Sequence, residues 1–119
     1  MARTRRSAKA AGARFERVVA DYLAEGLADD RIDRAPKAGA KDKGDIANVR
    51  MGDHKIVIEC KDVARVDLPK WVREAHVEAV NAGALVGVVV HKRHGVAKPG
   101  QQWATMTLED LTKLLKGNQ

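Results

Sequence analysis

Ile56-Val57-Ile58-Glu59-Cys60-Lys61 is a run of β-branched apolar residues that ends in a carboxylate and an amine. β-branched side chains favour strands. Alternation along a strand puts Glu59 and Lys61 on one face and Cys60 on the other. A charge pair closing an apolar strand is locally costly unless it serves something. Upstream, Gly44-Asp45-Ile46 opens a second candidate strand over residues 45–51. Gly52-Asp53 predicts a hairpin turn joining it to a strand over His54–Lys61. Asp45 stands fourteen positions before Glu59, far enough for the chain to turn and return beside it.

Outward from this hairpin the pattern alternates helix and strand. Phe15, Val18, Val19, Tyr22 and Leu23 recur at helical spacing over residues 10–25, with Gly26 as the stop. Residues 27–43 are polar and carry Arg31, Arg34, Lys37, Lys41 and Lys43, which predicts a basic loop with a short strand near 31–34. Pro69 suits a first helical turn, and Trp71, Ala75, Val77, Ala79 and Val80 support a helix to about residue 81 before Gly83. Residues 85–91 are nearly all apolar, as a strand buried on both faces requires. A basic Gly/Pro loop over 91–102 leads to a short strand at 103–106. Thr107 caps a last helix with the stripe Leu108, Leu111, Leu114 and Leu115. The expected fold is α/β, a mixed central sheet flanked by helices in the order α-β-β-β-α-β, with an added C-terminal strand and helix. Residues 1–9 read as a flexible basic tail and 10–119 as one domain.

At 45% hydrophobic the chain can bury one core, and with 3% aromatic residues that core is aliphatic. A net charge of +6 and a pI near 9.7 suit a polyanion: DNA, RNA or an anionic membrane. No stretch resembles a transmembrane span or a secretory leader, which leaves nucleic acid as the favoured partner. The single cysteine, Cys60, excludes an internal disulfide and a multi-cysteine zinc site, and fits a reducing, cytoplasmic compartment. His54, His76, His91 and His94 lack zinc-ligand spacing and are expected at the surface or on phosphates. Trp71 is expected to pack in the core.

The three-residue pattern of an acid, any residue and a lysine is weak by itself. Sixteen acids and eleven lysines in 119 residues give about 1.5 chance matches. The chain contains two, Asp53-His54-Lys55 and Glu59-Cys60-Lys61. The first falls in the expected hairpin turn, where charge is ordinary. The second ends the apolar strand with Asp45 opening its neighbour. Two carboxylates and a lysine meeting at one sheet end form a hard oxygen site that can hold Mg²⁺ beside a phosphodiester.

Asp45, Glu59-Cys60-Lys61 and a preceding helix carrying Glu16 resemble the PD-(D/E)xK nuclease superfamily. Size and element order within it look most like the Holliday junction resolvases of archaea and phages. The resemblance covers roughly residues 10–115, and the proline of the motif name is absent, since Lys43-Gly44 precedes Asp45. It implies a restriction-endonuclease-like core and a Mg²⁺-dependent endonuclease, with Mn²⁺ able to substitute. It implies Asp45, Glu59, the Cys60 carbonyl and Glu16 as metal ligands. Lys61 would act on the attacking water and the phosphate, as base or as electrostatic stabiliser. It implies a homodimer making two cuts in a four-way DNA junction, and a helix after the motif that can supply a polar residue, here Glu74 or Glu78. Arg34, Lys37, Lys41 and Lys43 would lie over the site, and Lys92 and Arg93 would contact DNA backbone. The alternatives are another nuclease of this fold, mismatch-nicking, replication-linked or restriction-like, and a basic nucleic-acid-binding module whose acids are structural.

Overall fold

The computed structural model describes residues 3–37 and 39–117. Met1 and Ala2 of the expected tail, and Ala38 of the basic loop, lie outside the described residues. The chain forms helix α1 (Arg5–Gly26), strands β1 (Asp33–Arg34), β2 (Ile46–Ala47), β3 (Arg50–Met51) and β4 (His54–Lys61), helix α2 (Leu68–Ala82), strands β5 (Val86–His91) and β6 (Trp103–Thr105), and helix α3 (Leu108–Lys116). The strands make one mixed open sheet in the order β1-β2-β4-β5-β6, with β3 paired to β4 as a hairpin arm. β4 and β5 are parallel, in register from Ile56↔Val86 to Lys61↔His91, and every other pairing is antiparallel. A parallel pair needs a crossover, and α2 supplies it.

The β4–β5 pair is the centre of the molecule. Even-numbered residues Ile58 and Val88 pack against Phe15, Val19 and Ala20 of α1. On the opposite face Val89 packs under Trp71 and Ala75 of α2. Val57, Val86 and Val89 are fully buried, each contributing about 1.5–3 kcal/mol over its exposed state. Gly87 makes the α2 contact possible, because a Cβ there would stand 2.5 Å from the Ala75 carbonyl oxygen.

Several expectations are corrected. α1 begins at Arg5 and not near residue 10, because the Thr4 hydroxyl caps it by accepting from Ser7 N at 3.1 Å. The expected single strand at 45–51 is split into β2 and β3. Asn48 takes φ +69 between them, a conformation asparagine tolerates, and its side chain donates to the Arg31 carbonyl at 2.8 Å. The leucine stripe of α3 is largely outside: Leu108 and Leu115 are exposed and only Leu114 reaches the core. The helix docks instead through buried Asp110, which accepts from Gly87 N and pairs with His76 of α2. Val77 and Val80 of α2 are likewise exposed. His91, expected at the surface, is buried against Trp71 with its ring bonded to Thr105 at 2.8 Å. Among the described residues no helix is long and apolar enough to cross a membrane.

Candidate functional site

The carboxyl ends of β4 and β5 carry the charge pair read from the sequence. Glu59 is 7% exposed, on the α2 face of the sheet. Lys61, two residues on, follows on that face, with its Nζ 3.6 Å from Glu59 Oε1. Asp45 lies beside them just ahead of β2. Its backbone N donates to the Ile58 carbonyl, and its Oδ2 accepts from Cys60 N at 2.8 Å. Gly44 lets the chain come this close: at φ +99, a Cβ would meet Val57 Cγ1 at 3.0 Å and the Ile58 carbonyl oxygen at 3.1 Å.

α2 lies against this end of the sheet in a matching register. Four residues of helix rise about 6 Å, and two residues of strand advance about 6.6 Å. Running against β4, the helix sets Glu74 opposite Lys61 and Glu78 opposite Glu59. Lys61 Nζ donates to Glu74 Oε2 at 2.8 Å. The Glu59 and Glu78 carboxyl groups are close enough to shift each other's protonation. One oxygen of each, Oε2 in both, is buried without a hydrogen-bond partner among the described residues. One turn further along α2, Asn81 Nδ2 donates to the Asp42 carbonyl at 3.0 Å and holds the preceding loop. The Asp42 carboxylate accepts from Gly44 N at 3.0 Å. Asp42, Asp45 and Glu59 then each offer an oxygen, all within 4.8 Å of one another.

The electrostatics follow from this crowding. Burial, then Glu78 and the nearby Asp45, push the Glu59 carboxyl far above the usual carboxylate range. Burial raises Glu78 as well, with Asp42 and Asp45 adding to it while the contact with Glu59 opposes it. Lys61 loses hydration, but Glu74, Glu59 and Asp45 more than offset that, so its amine is held above the ordinary lysine value. Burial raises the Cys60 thiol, whose side chain packs on the α1-side core, opposite Glu59 and Lys61 as strand alternation requires.

Glu16, on α1, is 8% exposed and is tied to basic side chains. Its Oε1 accepts from Arg34 Nε and a terminal guanidinium nitrogen, each at 3.2 Å. Lys37 Nζ bridges Glu16 Oε2 at 3.0 Å and Asp45 Oδ1 at 2.9 Å. Glu16 therefore meets Asp45 through the Lys37 ammonium and is not one of the three clustered acids. Of the basic residues singled out in the sequence, Arg34 and Lys37 reach the site, and Lys41 and Lys43 are exposed on the turn that leads to it. Lys92 and Arg93 sit in their own loop. Lys92 Nζ donates to the Val96 carbonyl, and Arg93 stacks 4.7 Å from the Trp103 ring. Arg3 of the expected free tail is clamped, donating to the Asp62 carbonyl at 2.8 Å.

Asp42 is the acid that sequence reasoning missed. Its one local signal is the Asp42-Lys43-Gly44 turn, in which an aspartate accepts from the backbone two residues on. Glu78 was legible: Glu74, Glu78 and Asn81 recur at i, i+4 and i+7 as a polar stripe along α2. Comparisons with protein-family models, with curated proteins and with solved structures return no match.

Proposed function

We propose that this chain is a metal-dependent DNA endonuclease of the PD-(D/E)xK type, with a restriction-endonuclease-like core, acting on four-way junctions. The carrying observation is the meeting of Asp42, Asp45 and Glu59 at one sheet end, with Lys61 held beside them by Glu74. The donor set fits a hard divalent cation. All members are carboxylate oxygens, and Glu59 Oε2 is buried with no partner among the described residues. Asp45 and Glu59, with Asp42, would hold Mg²⁺ or Mn²⁺, and the Cys60 carbonyl and Glu16 belong to the same reading.

A bound divalent ion supplies positive charge at the phosphate and makes the attacking water more acidic. The chain's own groups supply position. Glu74 fixes Lys61 beside Glu59, where its amine would act on the attacking water and the phosphate. Lys37 and Arg34 stand on the opposite side, where a backbone phosphate would replace their carboxylate partners. Hydrolysis forms a bond from water oxygen to phosphorus and breaks a phosphorus–oxygen ester bond, and the water's proton ends on the leaving hydroxyl. Exposed Lys41 and Lys43 add sequence-independent phosphate contacts. Two symmetric cuts require two such sites, hence a homodimer.

The test incubates the protein with a synthetic four-way junction, linear duplex, flap and mismatched DNA, in Mg²⁺ or in EDTA. Paired symmetric nicks on the junction, lost in EDTA, are expected. Equal cutting of linear duplex would refute junction selectivity. Binding without cutting in both Mg²⁺ and Mn²⁺ would refute the nuclease reading.

A further inference from the structure

We propose that the cleft where α2 ends over the β2–β4 strands is a pocket for one unpaired base of a DNA strand, with the flanking phosphate on Lys43, Arg50 and Lys55. This rests on the nucleic-acid reading above and not on the metal, and it names the feature by which branched DNA would be told from plain duplex. The register that sets Glu74 against Lys61 sets Ala82, the last residue of α2, against Val57. Past that point the sheet face is left as a cleft of about 400 Å³, within the range of about 300–1,000 Å³ typical of small-ligand sites. Its lining is mainly apolar: Ala35 and Pro36 follow β1, Ala47 and Val57 come from β2 and β4, and Ala82 from α2. Such a lining accepts a flat ring and offers it no charge.

Three basic side chains complete the lining: Lys43, Arg50 and Lys55. All three are exposed, and none pairs with an acid among the described residues, whereas Arg17, Arg31, Arg34, Lys37 and Lys61 all do. Lys55 Nζ lies 3.5 Å from the Ala82 carbonyl oxygen. Arg50 and Lys55 stand directly opposite each other in the β3–β4 ladder. Like charges so placed cost stability, and an anion between them removes that cost. The occupant therefore has two parts, an apolar ring and an anionic group, and a nucleotide joins them. A net charge of +6 favours a nucleotide that belongs to a polyanion. An unpaired base at a branch point costs least to extrude into a pocket. Val57 stands two residues before Glu59 on the same strand face, about 6.6 Å away, so a strand seated here passes beside the acid cluster.

Fluorescence anisotropy in EDTA tests this with full-length protein and two labelled duplexes, one with a single bulged thymine and one with an abasic residue at the same bulge. The thymine duplex should bind at least about fivefold tighter. Ala82→Leu fills the cleft from α2 and should erase that preference while leaving affinity for the abasic duplex unchanged; Ala35→Leu, from the other wall, supplies the reading if the first variant fails to fold. Arg50→Gln should weaken binding of both duplexes and reduce the salt slope by about 1, with the melting temperature of the free protein no lower than the parent's. A lower melting temperature would give Arg50 a structural role and overturn its assignment to phosphate. Equal affinity of the parent for both duplexes would overturn the base pocket while the nucleic-acid reading stands. Thymidine 5′-monophosphate binding as tightly as the bulged duplex would reassign the cleft to free nucleotides. Failure to bind either duplex or a four-way junction would overturn the nucleic-acid reading itself, and the pocket with it.

Discussion

Two glycine-to-alanine substitutions should move stability in opposite directions, and the difference probes the contact that builds the site. At Gly87 an added methyl would lie 2.5 Å from the Ala75 carbonyl oxygen and 2.8 Å from its carbonyl carbon. Both are backbone atoms, so no side-chain rotation relieves the clash and α2 must move off β5. Overpacking costs about 1–3 kcal/mol, and backbone opposition places Gly87→Ala at the upper end. At about 4 °C per kcal/mol for a domain of this size, the melting temperature should fall about 8–12 °C. Gly12, inside α1, has no atom within 4 Å of the same added methyl. Gly12→Ala should therefore stabilise by up to about 1 kcal/mol through helix propensity alone. The displacement at Gly87 also carries Glu74 and Glu78 away from Lys61 and Glu59, so Mn²⁺ affinity should fall in that variant and stay unchanged in Gly12→Ala. Thermal unfolding by circular dichroism and Mn²⁺ calorimetry give the readouts. A Gly87→Ala melting temperature within about 2 °C of the parent would refute the close α2–β5 packing and the register argued from it.

Asp110→Ala strips Gly87 N and His76 of their buried acceptor and should cost about 2–3 kcal/mol in urea unfolding, whereas Leu115→Ser, at an exposed position, should change stability by less than about 0.5 kcal/mol. Equal losses would mean that α3 docks through its leucines. Burial holds the His91 imidazole below its ordinary value of 6.5. Below that pH the unfolded chain binds a proton that the folded chain resists, so its contribution to stability is full above pH 6.5 and declines as pH falls. His91→Gln should flatten that acid limb in urea midpoints taken from pH 5 to 8, and an unchanged limb would remove His91 as its cause. Lys37→Met frees Asp45 from its ammonium partner and should tighten Mn²⁺ binding while weakening junction binding, with the salt slope of DNA affinity reduced by about 1. A variant that loses both affinities would place Lys37 in a structural role.

What could be read along the chain was whatever depends on near neighbours. Strand alternation placed Glu59 and Lys61 together and Cys60 opposite, and the structure keeps that order. Pro69 and Gly83 bounded α2 correctly, and Thr107 caps α3 through Asp110 N. The failures share one cause. Apolar periodicity shows which face of a helix could be buried, not whether a neighbour arrives to bury it. Leu108 and Leu115 obey the period and remain exposed, and Val80 falls off the buried face of α2. The α3 contact is made by an acid instead, which no hydrophobic pattern reports. Asp42 was hidden for a related reason: it stands in a turn 17 positions before Glu59, and only the folded chain brings the two together.

The placement of charge gives the strongest physical argument about the site. The chain carries 22 basic residues against 16 acidic ones, so cations are abundant. Yet Glu16, Asp42, Asp45, Glu59, Glu74 and Glu78 are drawn to one end of the sheet. Arg34 and Lys37 pair with Glu16, Lys37 also with Asp45, and Lys61 with Glu74. Asp42 and Glu78 make no ion pair among the described residues, and Glu59 has only the 3.6 Å contact to Lys61. A surface stripe would bring water to such acids, but Glu59 and Glu78 are buried with an oxygen each unpartnered. Hydrophobic replacement at Glu78 would satisfy packing at lower cost. Departure from the rules of a stable interior is expected where a site serves a ligand, and here it lies at Glu59 and Glu78, each with one buried carboxylate oxygen unpartnered among the described residues.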